Sequence, residues 1–231
     1  MSEPFVSVVI PVHNGQRFLA DAIDSVLAQG YRHREVVVVD DGSTDDSPAI
    51  ARARPVRYQW QPNQGAAAAR NAGLAAARGD LIAFLDQDDV WLPHKLDAQV
   101  AFLAQHPSVD MVISPFEVAV EPGAPPLSWF EPESGMDVQL VPLLGTLLAR
   151  RSCIERVGGF DTRYEIASDT DWMMRARDAG HVLEAAPGVC MRYRMHEHNS
   201  SRREERLNAE VRAVYRASVA RKRAARARSA G

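Results

Sequence analysis

Two cysteines among 231 residues, Cys153 and Cys190, are too few for a disulfide framework. Neither belongs to a CxxC pair that would mark a zinc or redox site, so free thiols are expected. No apolar run approaches the ~18–20 residues of a membrane span. The N-terminus, MSEPFVSVVIP, places an acid ahead of its apolar run and has no basic n-region, so it reads as a first strand rather than a signal peptide. An overall excess of base is also lacking: 27 Lys and Arg face 30 Asp and Glu, which does not indicate a nucleic-acid binder. Internal repeats are absent. These absences lead to the expectation of a cytoplasmic chain.

What the chain does have suits a globular protein. Hydrophobic residues make up 46% and charged residues 25%, enough for a sizeable core in one domain, or one domain with a tail. Charge is uneven along it. From Arg202 onward ten Arg and Lys face three Glu, about +7, which leaves about −10 on the rest.

The most informative stretch is Asp80 to Pro93, DLIAFLDQDDVWLP. Leu81 to Leu85 is an unbroken apolar run of the kind found in a buried parallel strand. It empties into Asp86, Asp88 and Asp89. Clustered like charges do not stabilise a buried strand's end, because each carboxylate resists burial and repels the others. A divalent cation removes that conflict, and hard carboxylate oxygens suit Mg²⁺ or Mn²⁺ bridging to a diphosphate. The bland alternative is that Asp89 caps the helix expected from Pro93.

Around this stretch, strands and helices alternate. Phe5–Ile10, Glu35–Val39, Val56–Trp60, Asp110–Ile113 and Val189–Met195 read as strands, and Val141–Ala149 as a further core segment. Arg17–Gln29, Ala66–Arg78, Pro93–His106, Cys153–Val157 and a segment from Ser168 to Gly180 read as helices. Another helix begins near Asp45, where Ser43 or Thr44 is positioned to cap it. Short βα turns in succession predict a doubly wound, mostly parallel sheet flanked by helices, whose ligands lie off the carboxyl ends of the strands. Between Pro115 and Asp137 the pattern dissolves into a Pro- and Gly-rich loop carrying Trp129 and Phe130, a segment expected to act as a lid or to pin itself. The last thirty residues read as a basic helix, either solvated and frayed or attached at the periphery to anionic lipid.

In order, the motifs are VSVVIPVHN (Val6–Asn14), EVVVVDDGSTD (Glu35–Asp45), NQGAAAARNAG (Asn63–Gly73) and GDLIAFLDQDD (Gly79–Asp89). RRSCIERVGGFD (Arg150–Asp161), SDTDWMMR (Ser168–Arg175) and YRMHEHNSS (Tyr193–Ser201) follow. This ordered set resembles the family 2 glycosyltransferases, nucleotide-sugar-dependent enzymes with a GT-A fold. The resemblance implies a catalytic domain over 1–201, with a nucleotide-binding half over about 1–114 and an acceptor-side half over 115–201. Residues 202–231 form a basic helical extension.

The family likeness also implies roles. Pro11, Val12, His13, Asn14 and Asp41 line the nucleotide pocket, with Asp41 on the base, and Arg70 is a nucleotide or phosphate contact. Asp86-Gln87-Asp88 corresponds to the D-x-D motif, with Asp88 the main ligand of Mn²⁺ or Mg²⁺ and Asp86 near the metal or donor sugar. His196 lies near the diphosphate or metal. The family's catalytic base is the Asp of a Glu-Asp pair at a helix start. Here the pair is Ser168-Asp169, which makes Asp169 the base and keeps Asp171, two residues on, as runner-up. One base and a direct displacement imply an inverting, metal-dependent transfer from a nucleotide-diphosphate sugar to an acceptor hydroxyl. The implied base is uracil, with thymidine and guanosine donors left open. The acceptor is open among glycan, lipid-linked and peptide, and contact with the inner membrane face through the basic helix is open too. Two other readings stand beside this one: a weakly catalytic nucleotide-sugar-binding module, because Ser168 replaces Glu, and a nucleotidyltransferase, although PVHNGQRF lacks the Gly-rich loop that chemistry wants.

Overall fold

The computed structural model describes residues 3–125, 138–140 and 142–229. Trp129, Phe130 and the rest of the expected lid's second half lie outside the described residues. Seven strands form the main sheet: β1 (Val6–Val12), β2 (Arg34–Asp41), β3 (Arg57–Gln61), β4 (Leu81–Phe84), β6 (Met111–Ile113), β9 (Leu148–Arg150) and β10 (Leu183–Ala185). Their order is β10-β6-β9-β4-β1-β2-β3, and only β9 runs antiparallel to its neighbours. A smaller sheet, β5-β11-β7-β8, is built from Val90–Trp91, Met191–Met195, Phe116–Val120 and Val138–Gln139. Strands from beyond residue 114 thus enter the main sheet and β5 from before it enters the small one, so the two parts of the chain interlock.

The alternation of side chains in the central strands puts the core on both faces. Val6, Val8, Ile10 and Val12 of β1 face α1 (Leu19–Leu27), α2 (Ser47–Arg52) and α4 (Lys95–Gln105), while Val9 faces the opposite side. In β2, Val36 and Val38 take the first face and Val37 and Val39 the second, against α3 (Ala66–Ala76). Each fully buried Val or Leu contributes about 1.5–3 kcal/mol relative to an exposed one. Helix α3 lies so close to the sheet that a Cβ on Gly73 would stand 2.3 Å from the Val9 Cγ1 atom, which explains a glycine inside an Ala-rich helix. The second face is completed by α5 (Arg151–Val157) and α6 (Ser168–Asp178). Among the described residues no helix is long and apolar enough to cross a membrane.

Three local expectations are corrected. The segment after Pro115 is not pattern-free from its start: Phe116–Val120 pairs in parallel with β11 over five residues. Its side chains are mostly half-buried in a small sheet, which weakens the alternation that marks a strand. Ser43 and Thr44 do not cap α2, because both are taken up by the loop after β1: Ser43 Oγ accepts the Asn14 N–H and the Thr44 N–H donates to Asn14 Oδ1. Asp45 instead accepts the Ser47 N–H at 2.9 Å. Nor does Asp89 cap α4. That helix starts at Lys95 behind a left-handed His94, φ 69°, with no side-chain cap.

Lys95 has a physical consequence of its own. It is 2% exposed, donates to Gln99 Oε1 and the Leu147 carbonyl, and lies 4.2 Å from the Trp91 ring. Burial pushes its pKa down to about 8 from 10.5. Between these values the unfolded chain binds more protons than the folded one, so stability rises with pH there. We expect the wild type to gain about 2 kcal/mol over Lys95→Met between pH 7.5 and 9.5, read by urea unfolding. Parallel pH profiles would show that the ammonium is not buried as described.

Candidate active site

The site forms where the sheet order reverses. Strands β4 and β2 flank β1 on opposite sides, so the loops leaving β1 and β4 splay apart and open a crevice at their carboxyl ends. Pro11 and Val12 are still within β1, with buried side chains. The next two residues, His13 and Asn14, are exposed there. The His13 ring sits 2.9 Å from the Asp41 carbonyl through Nδ1. Asn14 adopts a positive φ of 49° and gathers the Ser43-Thr44 turn.

Gln87, the middle residue of Asp86-Gln87-Asp88, closes the crevice from the β4 side. Its Oε1 accepts the His13 N–H at 2.8 Å and its Nε2 donates to the His13 carbonyl at 3.3 Å. A Cβ on Gly15 would meet that Oε1 at 2.7 Å, so the clamp requires glycine there.

Asp41 is buried and already occupied. Oδ1 accepts from Gln61 Nε2 at 2.7 Å and the Gln64 N–H at 2.9 Å, and Oδ2 accepts the Gly65 N–H at 2.7 Å. It therefore holds the loop that enters α3, and about one of its four lone-pair directions is left for a ligand. Neighbouring Asp40 accepts from the Ser43 N–H and the Tyr58 hydroxyl.

The three carboxylates after β4 are treated differently from one another. Asp86, whose side chain is 41% exposed, pairs with Arg70 at 2.8 Å. Arg70 is buried and reaches across to Ser168 Oγ at 3.3 Å, so it joins the strand end to the start of α6. Burial disfavours its charge, but Asp86, Asp169 and Asp88 outweigh that and raise its pKa. Asp88 Oδ2 lies 2.9 Å from His196 Nε2. The His196 Nδ1 accepts the His198 N–H at 3.2 Å, which leaves the ring proton on Nε2, donated to Asp88. In this arrangement His196 supports Asp88, and binding a metal through Nε2 would need that proton to move. Asp89 is buried, and its Oδ1 accepts the Arg194 N–H at 3.0 Å. Burial, then the nearby Asp88 and Asp86, push its pKa well above the carboxylate range.

Asp169 stands in the first turn of α6, half-buried, with Oδ1 accepting the Thr170 N–H at 2.6 Å. Burial raises its pKa, while the Arg70 guanidinium opposes that rise. Asp171 is elsewhere. Its side chain is 3% exposed, bound to Arg175 Nε at 2.7 Å on the flank facing the C-terminal helix. The structure thus gathers His13, Asn14, Asp41, Arg70, Asp86, Asp88, His196 and Asp169 around one crevice and leaves Asp171 outside it.

The composition of the crevice bears on a metal. Among the described residues no group of three or more His, Cys, Asp and Glu is arranged to hold an ion. Hard carboxylate oxygens on Asp88 and Asp86 nevertheless suit Mn²⁺ or Mg²⁺ that takes its other ligands from a diphosphate and water. The residues fit a donor-dependent cation and not a cage made by the protein alone.

Arg194 is a residue the sequence reading passed over. Its Nε donates to the Asp88 carbonyl at 2.6 Å and it pairs with Asp21 at 2.8 Å, fixing the backbone between Asp88 and Asp89. Only its place in a strand, two residues before His196, hinted at it.

Comparison with known proteins bears on the family and the fold. Residues 7–154 match the model of glycosyl transferase family 2. An uncharacterized glycosyltransferase of Rickettsia felis is 29% identical over 92% of the chain, and one of Rickettsia prowazekii 31% identical over 73%. The chain spans 38% and 57% of the lengths of these relatives. Among solved structures, S. aureus TarS 1–349 in complex with UDP-GlcNAc superposes with a TM-score of 0.68 at 21% identity, over 84% of this chain and 60% of that one. The mannosyltransferase PcManGT of Pyrobaculum calidifontis, in complex with GDP-Man and Mn²⁺, gives 0.65 at 24% identity, over 89% of this chain and 61% of that one. The fold is therefore the GT-A type expected from the motifs.

If Asp41 holds the loop before α3 in the absence of any ligand, Asp41→Asn should lose about 1–3 kcal/mol of stability, since its amide NH₂ would face a backbone N–H. Urea unfolding without nucleotide reads this. Unchanged stability would confine Asp41 to a ligand contact.

Proposed function

Because the chain belongs to glycosyl transferase family 2, we propose that it transfers a sugar from a nucleotide-diphosphate donor, a UDP-sugar, to an acceptor hydroxyl with inversion at the anomeric carbon. The observation that carries this reading is Arg70, whose guanidinium ties Asp86 of the D-x-D motif to the first residue of the helix bearing Asp169. Donor-side and acceptor-side carboxylates are thereby fixed relative to each other, as a direct displacement requires.

In this reading Asp169 accepts the acceptor's hydroxyl proton. The freed oxygen bonds to the anomeric carbon as the bond to the diphosphate breaks, and the nucleoside diphosphate departs. A base whose pKa is raised by burial is better matched to that task at neutral pH. Asp88 and Asp86 would hold the divalent cation, which when bound offsets charge on the leaving diphosphate. His196 and Arg194 keep Asp88 oriented. The His13-Asn14 turn and the free valence of Asp41 face the nucleoside. The choice of uridine rests on the motif resemblance, with UDP-GlcNAc bound by TarS and GDP-Man by PcManGT on the same fold. On the C-terminal helix, Arg212, Tyr215, Arg216, Val219 and Arg223 remain exposed, and this is the face that would meet anionic lipid.

Thermal stability against a panel of nucleoside diphosphates, with and without Mn²⁺, tests the donor. A matched ligand at 100 Kd adds about 2.7 kcal/mol. We expect a Mn²⁺-dependent shift with UDP that Asp88→Ala abolishes. A shift with GDP alone would overturn the uridine assignment, and none at all would leave a degenerate pocket. Asp169→Asn should cut transfer by about 10²–10⁴ while nucleotide affinity stays near wild type. Loss of transfer in Asp171→Asn but not in Asp169→Asn would move the base.

A further inference from the structure

The helix α7 (Glu204–Ser229), which the sequence presents as a basic tail, is packed along α6. Val214 is fully buried against Ala167 and Met174, and Leu207, Val211 and Tyr164 flank them. At the far end, Ser218 and Arg221 both donate to Asp178 at 2.9 Å. At the near end stands Glu210, 7% exposed. One carboxylate oxygen accepts the Ile166 and Ala167 N–H groups at 2.9 and 3.0 Å, and the other accepts the Glu165 N–H at 3.2 Å and Arg206 Nε at 2.6 Å.

These three amides belong to the residues that lead directly into Ser168 and Asp169. No side chain of α6 or its approach caps them. Burial opposes Glu210's ionisation, but the three amides and Arg206 outweigh it and hold the carboxyl down to about 2. A charged acceptor on three consecutive amides fixes the backbone there more firmly than water can. The chain reaches Asp169 with little freedom left, and Arg70 meets Ser168 from the other side.

We propose that Glu210 is a positioning residue for the base: by binding the 165–167 backbone it sets where the Asp169 carboxylate stands in the crevice. The inference rests on the reading of Asp169 as base. Asp178 offers an internal control, because it fastens the same two helices at the end of α6 remote from the crevice.

The test compares Glu210→Gln with Asp178→Asn in the full chain. Both are expected to lose stability, since each removes a buried, multiply bonded carboxylate. Glu210→Gln should lower kcat about 10- to 100-fold, the penalty for a small misplacement of a reacting group, with nucleotide Kd and donor KM within twofold of wild type. It should also speed hydrogen exchange of the 165–169 amides. Asp178→Asn should keep kcat within about twofold and leave that exchange slow. Equal kcat losses in the two variants would show a merely structural role and overturn the proposal. So would full kcat in Glu210→Gln while Asp169→Asn is inactive. If Asp169→Asn itself retains transfer, the assignment of the base fails, and that result is distinct from the other two.

Discussion

A strand that is apolar along its length delivers three carboxylates to one place, and the surrounding structure is arranged to make that tolerable. Like charges a few ångströms apart repel by several kcal/mol at an effective dielectric near 20. The chain answers each acid separately: Arg70 for Asp86, the His196 ring for Asp88, and a backbone N–H of Arg194 with burial for Asp89. Those partners come from α3 and from the end of the last strand, β11. The small sheet, which carries β11 alongside β5, therefore serves the site by bringing His196 and Arg194 back over the end of β4.

The same logic explains why the crevice needs three β-strand ends and not one. Gln87 reaches from the D-x-D turn to clamp His13, and Asn14, in the loop after β1, gathers Ser43 and Thr44. Asp41 then holds the entry to α3, which returns Arg70 to Asp86. These hydrogen bonds form a chain from β4 to β1 to β2 to α3 and back. Loss of one link loosens the next, so the polar wall of the crevice is cooperative in construction.

The centre of the sheet was legible because β1, β2, β4 and β6 carry runs of Val, Ile and other apolar residues, and the central order of elements followed from that pattern, whereas the short, exposed edge strand β10 carries no such signal. The acids after Leu85 stood out for a similarly local reason: charges at the end of an apolar run are costly. What remained hidden depends on partners distant in sequence. Asp169 and Asp171 are chemically alike two positions apart on α6. Only the packing of α7 shows that Asp171 faces an interface and Asp169 the crevice. Arg194 looks like an ordinary strand residue until its guanidinium is seen to hold the Asp88 carbonyl, 106 positions away in the chain. Phe116–Val120 was missed because a half-buried strand in a four-stranded sheet needs no strong alternation.

The basic extension shows how composition can conceal structure. A run of Arg and Ala with few large apolar residues resembles a solvated tail, since among the described residues its burial face comprises Leu207, Glu210, Val211, Val214 and Ser218. Yet much of its charge is matched on the body of the protein: Arg203 and Arg206 pair with Glu165, and Arg221 and Lys222 with Asp178. Arg212, Arg216 and Arg223 are exposed along the same side of the helix as Tyr215 and Val219. The exposed pairs to Glu165 contribute little each, so the helix is held chiefly by Val214 in its apolar niche and by the two buried carboxylates, Glu210 and Asp178. Those two acids sit at opposite ends of α6. The extension therefore acts as a splint along the helix that carries Asp169, and its placement is set by one anion of its own, Glu210, and one on α6, Asp178, although its sequence is dominated by cations.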